Sequence, residues 1–168
     1  LQLDSLRSSH PIEVDVKNPS EIGQIFDAIS YSKGASVIRM LVAYLGEEPF
    51  RKGIHNYLKK FEYKNAVTND LWDALELASG KPVRDMMTNW TRKVGYPIVH
   101  VEREGCCCLR LTQRRYLTTG DVSGEEDSTV WRTPLGLFVE NGDNIEDELS
   151  TKSQVINIGK DSMFRKIN

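Results

Sequence analysis

Three features are missing from the sequence: a long hydrophobic run, an excess of positive charge and a patterned set of cysteines. No apolar run among the 168 residues approaches the ~20 residues of a membrane-spanning helix. The opening stretch, LQLDSLRSSH, alternates with polar residues and does not resemble a secretory signal. The formal net charge of −2 provides no basic surface for nucleic acid or an anionic membrane. We therefore expect a globular chain with no membrane span and no nucleic acid partner.

The few cysteines and histidines form no familiar metal-binding motif. The cysteines are consecutive, Cys106–Cys108, and match neither a disulfide framework nor a Cys-x-x-Cys pair. We expect strand residues in a reducing compartment, whose side chains alternate between the two faces and cannot readily share one ion. His10, His55 and His100 have no partner at metal-ligand spacing, and the sequence contains no His-Glu-x-x-His. The sequence therefore predicts no metal site.

Helical periodicity runs through the first 95 residues. It predicts five helices, over about 19–29, 31–45, 47–61, 68–79 and 82–94. The first would start at Asn18-Pro19-Ser20-Glu21, which has the pattern of a capping box. Thr68 is the predicted cap of the fourth helix, and Gly80 is its predicted stop. The second helix is apolar around most of its circumference, so we expect it to be buried among other helices.

The apolar period changes from 3.6 to 2 at Gly95-Tyr96-Pro97. Strands are predicted in PIVHVE, CLRLTQRRY, TVWRTPLGLFVE, SQVINIG and SMFRKIN, and a hairpin-like turn in ENGDN. The expected fold class is α+β, with a helical module at 1–95 and a β-strand module at 96–168. Because few strands with unpaired edges make a poor independent sheet, we expect a piece of a longer chain.

Tyr31 is the candidate catalytic residue. It stands between an amphipathic segment and the small residues Ser32, Gly34 and Ala35, at the start of the second predicted helix. A tyrosine hydroxyl stays protonated at neutral pH, so it can donate a hydrogen bond to an oxyanion without first gaining a proton. Packing in the core is the other interpretation, and the residues alone leave both open.

Several stretches, taken in order, resemble zinc aminopeptidases of the gluzincin type. They are SSHPIEV at 8–14, FDAISYSKGASVIRML at 26–41, TNDLWDALELASGKPV at 68–83 and WTRKVGYPIVHVE at 90–102. The resemblance is strong over 1–102 and looser beyond, through LRLTQRRYL. Many members of this family have Tyr-Glu-Lys-Gly where this chain has Tyr31-Ser32-Lys33-Gly34. The serine form is typical of the puromycin-sensitive aminopeptidase branch and its fungal cytosolic relatives.

The resemblance implies an activity and a fold. In this family zinc polarises the scissile carbonyl and its bound water, a glutamate deprotonates that water, and the tyrosine matched by Tyr31 donates to the oxyanion. Phe26 resembles an aromatic residue that contacts the first side chain of the peptide substrate. Core packing beside Ile22, Ile25 and Ile29 is the alternative for Phe26. The implied fold is the all-helical second lobe of a thermolysin-like catalytic domain, followed by part of an antiparallel β-sandwich.

The sequence does not contain everything that this family needs. The His-Glu-x-x-His motif, a zinc-binding glutamate on the next helix and a Gly-x-Met-Glu-Asn loop are absent from the 168 residues. We expect a fragment of a cytoplasmic zinc aminopeptidase that is separated from its zinc-bearing lobe and inactive alone. The alternative is a non-catalytic binding or regulatory module derived from such an enzyme. A His-Glu-x-x-His encoded upstream of Leu1 supports the first hypothesis, and a start codon at that boundary supports the second.

Overall fold

The computed structural model describes residues 1–24, 26–138 and 144–158. The chain forms two compact units, Leu1–Val94 and Gly95–Asn168. The first unit is helical, and the strands in the second pair antiparallel. The expected α+β class is therefore confirmed.

The helical unit begins with short, tight helices and continues with longer ones. Two 3₁₀ helices span Leu3–Ser5 and Pro19–Gln24, and a π-helix spans Ile29–Lys33. The α-helices are α1 (Gly34–Leu45), α2 (Glu47–Lys60), α3 (Thr68–Ser79) and α4 (Val83–Arg92). The π-helix runs directly into α1, so they form one continuous helical segment.

The sequence predicts a first helix over 19–29, and this prediction is wrong. Among the described residues of this stretch, the 3₁₀ helix Pro19–Gln24 forms after Asn18 accepts a 3.1 Å hydrogen bond on Oδ1 from the backbone of Ser20, and the π-helix begins only at Ile29. Gly23 lies inside this stretch, and glycine is among the poorest helix formers because it loses the most backbone entropy. Ile25 lies outside the described residues. The apolar spacing therefore marked hydrophobic positions but not a continuous α-helix.

Helix α1 is buried along one stripe only. Val37, Leu41 and Leu45 are buried at intervals of one helical turn, whereas Arg39 and Ala43 are exposed. The predicted burial among other helices is therefore met along this stripe, and the described residues leave the other side of the helix open.

Helices α2 and α3 approach each other closely at Gly53. A Cβ atom at this position would lie 2.7 Å from Leu75 Cδ2 and 3.0 Å from Leu75 Cα. The start of α3 differs from the prediction, because Thr68 is its first residue rather than its cap. The backbone N–H of Val67 donates to Asp70 Oδ2 at 2.9 Å instead. Gly80 ends the helix at φ +70°, as predicted, in the left-handed region that glycine adopts without strain.

The second unit contains two antiparallel sheets. Its described strands are β1 (Pro97–Glu104), β2 (Cys108–Arg115), β3 (Thr133–Phe138), β4 (Asn144–Leu149) and β5 (Ser153–Asn157). One sheet has the order β1-β2-β5, and the other pairs β3 with β4. The acidic strand β4 was not predicted, because it shows little apolar alternation. The predicted strand SMFRKIN lies outside the described residues, as does most of the ENGDN turn.

Side chains from both sheets form one apolar core. Its buried members are Leu109, Leu111, Leu149, Ile156 and Ile158. Beside it, the buried side chain of Gln113 bridges three backbone groups. Its Nε2 donates to the carbonyls of Trp131 and Thr151 at 2.9 Å each, and its Oε1 accepts from Trp131 N at 2.8 Å. This amide therefore fixes the loops that lead into β3 and β5.

The expectation that all three cysteines lie on a strand is wrong for two of them. Cys106 and Cys107 lie in the turn between β1 and β2, and only Cys108 begins the strand. Gly105 opens this turn with φ +72°, which reverses the chain where a strand would have continued. The face-to-face alternation expected from a strand therefore does not apply to Cys106 and Cys107.

Candidate functional site

The two predicted site residues lie side by side and face solvent within this chain. Tyr31 is the central residue of the π-helix Ile29–Lys33 and is 64% exposed, and Phe26 is 62% exposed. Their ring centroids lie 6.3 Å apart. Neither ring therefore fills the core of this chain. Single π-helical turns inside helices are rare and occur frequently at functional sites.

Asp27 anchors the start of the π-helix. Its Oδ1 accepts a 2.9 Å hydrogen bond from the backbone N–H of Ser30, and its carbonyl accepts one of 3.1 Å from Tyr31 N. Its Oδ2 lies 2.6 Å from His10 Nε2. This one residue therefore contacts both the backbone that carries Tyr31 and the loop that carries His10.

The geometry around His10 favours the charged imidazolium. Nδ1 lies 2.8 Å from the carbonyl oxygen of Pro11, and Nε2 faces the Asp27 carboxylate. Both partners only accept hydrogen bonds, so both ring nitrogens must donate. The hydrogen bond that His10 donates to Asp27 is the largest cause, and the one it donates to the Pro11 carbonyl is the next; both raise the pKa of His10 above its ordinary 6.5. The backbone hydrogen bond from Ser30, followed by that from His10, lowers the pKa of Asp27 below its ordinary 3.8.

A buried ion pair holds the end of the π-helix. Lys33 Nζ lies 2.9 Å from Asp4 Oδ2, and the two side chains are only 9% and 4% exposed. Asp4 also accepts a 2.9 Å hydrogen bond from Ser9 Oγ, and Lys33 donates to the carbonyl of Lys93 at 3.3 Å. Such pairing and hydrogen bonding are what a buried charge needs to be tolerated. Both ends of the short segment that carries Tyr31 are therefore fixed.

The residues that the structure describes do not fit a zinc site. Structural and catalytic zinc needs three or four Cys, His or carboxylate ligands around one point. No group of three such residues that could hold a metal ion occurs in residues 1–24, 26–138 and 144–158. His10 is engaged by Asp27 and Pro11, and His55 and His100 are exposed on α2 and β1.

The part of the chain that carries this site also matches a known protein family. The model of the peptidase family M1 domain matches residues 1–90, which include Tyr31, Phe26 and the residues that anchor them. The chain belongs to peptidase family M1.

Individual members of the M1 family match the whole chain or most of it. It is 54% identical over all 168 residues to Aminopeptidase 2, mitochondrial, of Saccharomyces cerevisiae, and covers 18% of that protein. It is also 54% identical over its full length to the alanine/arginine aminopeptidase of the same yeast, and covers 19% of it. The Tricorn protease-interacting factor F2 of Thermoplasma volcanium is 49% identical over 84% of the chain, which covers 18% of that protein. The chain therefore spans less than a fifth of the length of these relatives.

Sequence reasoning selected Tyr31 and Phe26 but did not find the residues that anchor them. The sequence patterns give His10 no metal-ligand partner and indicate no functional role for Asp4, Asp27 or Lys33. The available signal was the position of Asp27, four residues before Tyr31, where a carboxylate can accept from the first free backbone N–H groups of a helix.

In the part of the chain that the structure describes, no helix is both long enough and apolar enough to cross a bilayer.

Proposed function

We propose that this chain is part of a zinc-dependent M1 aminopeptidase that removes N-terminal residues from peptides, and that Tyr31 stabilises its transition state. Attack on the scissile carbonyl produces a tetrahedral oxyanion, and the phenol of Tyr31 donates a hydrogen bond to it. The exposure of Tyr31 on an anchored π-helix supports this role most directly. Zinc, when bound, supplies Lewis-acid chemistry, and no group of three ligands that could hold it occurs among the residues that the structure describes.

The proposed partner of this chain is the zinc-bearing lobe of the same enzyme. We assign the helical unit to the second lobe of a thermolysin-like catalytic domain and the strands to part of a β-sandwich. The open side of α1 supports this assignment, since an apolar helix left half uncovered is suited to a further packing partner. The proposed location is the cytoplasm, which imaging of the tagged protein would test.

Replacement of Tyr31 with phenylalanine in the whole enzyme tests the catalytic role. Tyr31→Phe keeps the ring and deletes the hydroxyl, so kcat should fall ~10²-fold or more while KM changes little. Tyr63→Phe is the matched control, because Tyr63 is fully exposed in the turn after α2 and should retain normal kcat. Both variants should melt at the temperature of the unmodified enzyme. A Tyr31→Phe enzyme that keeps more than about a third of kcat would overturn the proposal.

Phe26 is proposed to contact the first side chain of the peptide. Phe26→Ala should therefore change kcat/KM unequally for leucine, alanine and arginine amides, with the largest loss, about 10-fold, for the largest apolar side chain. Leu77→Ala is the control, since Leu77 is exposed on α3. A uniform loss for all three substrates would argue for packing against Tyr31 instead.

A further inference from the structure

The turn between β1 and β2 places two thiols in direct contact. Cys106 Sγ lies 2.7 Å from Cys107 Sγ, and Cys106 is exposed while Cys107 is half-buried. Both are free thiols. Neighbouring residues on a strand would direct their side chains to opposite faces. The left-handed Gly105 makes the turn that brings these two side chains together instead.

The backbone around this pair is held in place on both sides. The carbonyl of Cys107 accepts a 2.7 Å hydrogen bond from Ile158 N, and Arg103 donates at 3.2 Å to the carbonyls of Gly105 and Cys106. Glu104 and Arg110 form an ion pair of 2.6 Å where the two strands meet the turn. The two thiols are therefore presented together on an anchored hairpin.

We propose that Cys106 and Cys107 form a vicinal dithiol site that exchanges with small-molecule disulfides and closes to an internal disulfide. The more exposed Cys106 thiolate attacks one sulfur of the incoming disulfide, forms a mixed disulfide and releases one thiolate. The Cys107 thiolate then attacks the Cys106 sulfur, forms the Cys106–Cys107 bond and releases the second thiolate. Two electrons pass from the pair to the incoming disulfide, and the two protons lost by the cysteines end on the released thiols.

The linkage formed is readily reversed. Neighbouring Cα atoms are about 3.8 Å apart, shorter than the usual span of about 4.4–6.8 Å across a disulfide, so the closed ring is strained. Strained and exposed disulfides are the labile ones, and a reducing thiol pool returns them to dithiols. The hydrogen bond with Cys106, followed by partial desolvation, raises the pKa of Cys107. Closure should therefore accelerate as pH rises above neutrality, because the thiolate is the attacking species.

Mass spectrometry after treatment with oxidised glutathione tests the proposal. Trypsin cleaves after Arg103 and after Arg110, so it should release all three cysteines in the single peptide Glu104–Arg110. After alkylation, this peptide from the native full chain should carry an internal disulfide and one alkyl group. In Cys108→Ser, the same internal disulfide should form without any alkyl group.

The single variants of the pair distinguish this site from ordinary surface thiols. In Cys107→Ser, glutathione should remain attached to Cys106, and the internal disulfide should fall at least about tenfold. In Cys106→Ser, the amount of internal disulfide should fall by the same factor as in Cys107→Ser. Stable glutathione adducts on Cys106 or Cys107 in the unmodified chain, or an internal disulfide in Cys107→Ser as abundant as in the unmodified chain, would overturn the proposal. Loss of the internal disulfide in Cys108→Ser would do the same.

Discussion

Asp4 and Lys33 form a buried ion pair that joins the start of the chain to the last residue of the π-helix. Their charged atoms lie 2.9 Å apart, and Lys33 is two residues after Tyr31. Removal of one partner from a buried pair leaves the other charge without compensation, which is far more costly than the loss of an exposed pair. The pair therefore ties the stability of the helical unit to the segment that presents the phenol.

Lys33→Met should destabilise the protein by about 3–5 kcal/mol, because the buried Asp4 carboxylate would lose the ammonium group that lies 2.9 Å from it. The control is Arg51→Met, which breaks the Glu48–Arg51 pair, a contact of similar length whose side chains are both 77% exposed. That change should leave the free energy of unfolding almost unaltered. Urea unfolding measures both effects, and hydrogen exchange should be faster at the amides of Ile29–Lys33 only in the first variant. Equal effects of the two substitutions would contradict this interpretation of burial.

The His10–Asp27 pair should make stability depend on pH in a defined window. Because the pKa of His10 is raised, its contribution to the free energy of unfolding is complete below pH 6.5. That contribution is lost as pH rises through the raised pKa. Because the pKa of Asp27 is lowered, its contribution is present above 3.8 and is lost as pH falls through the lowered value. Between pH 3.8 and pH 6.5 both His10 and Asp27 therefore contribute to the free energy of unfolding.

His10→Gln tests this window. The stability difference between the unmodified protein and this variant should be largest below pH 6.5 and shrink as pH rises through the raised pKa of His10. Thermal unfolding over a pH series provides the measurement, and a difference for His10→Gln that stays constant with pH would exclude a titrating pair.

Gly53→Ala should destabilise the helical unit even though alanine is the better helix former. The added Cβ would lie 2.7 Å from Leu75 Cδ2 and 3.0 Å from Leu75 Cα, so the helix backbones must move apart. Overpacking of this kind costs about 1–3 kcal/mol, which exceeds the gain of up to about 1 kcal/mol in helix propensity. Gly34→Ala is the matched control, because Gly34 has helical φ and no atom within 4 Å of the added Cβ. It should be neutral or stabilising in the same urea titration.

Gln113→Leu should destabilise the second unit by about 2–5 kcal/mol, since it leaves two carbonyl groups and one N–H without their partners. The neighbouring Thr112 is exposed, and Thr112→Val should change the free energy of unfolding by less than about 0.5 kcal/mol. Chemical denaturation followed by tryptophan fluorescence measures both, because Trp131 is buried beside Gln113. A tolerated leucine would show that the loops are held by other contacts.

Local patterns in the sequence determined most of the secondary structure. The 3.6-residue spacing placed α2, α3 and α4 within a few residues of their observed bounds, and alternation placed β1, β2, β3 and β5. These elements could be predicted because amphipathic periodicity reflects which face is buried. The stretch at 19–29 could not, since its apolar spacing suits a helix while Gly23 and the local hydrogen bond of Asn18 favour a shorter turn.

The candidate site was divided in the same way between sequence and tertiary structure. Tyr31 and Phe26 could be selected from the sequence, because they lie in one short stretch with a recognisable pattern. Their anchors could not, since Asp4 and His10 contact Lys33 and Asp27 across gaps of 29 and 17 residues. Cys106 and Cys107 are adjacent in the sequence, but their place in the turn after Gly105, rather than on a strand, could not be read from that adjacency. Residue identity supplied the chemical groups, and the fold brought them together because burial and hydrogen bonding act through space.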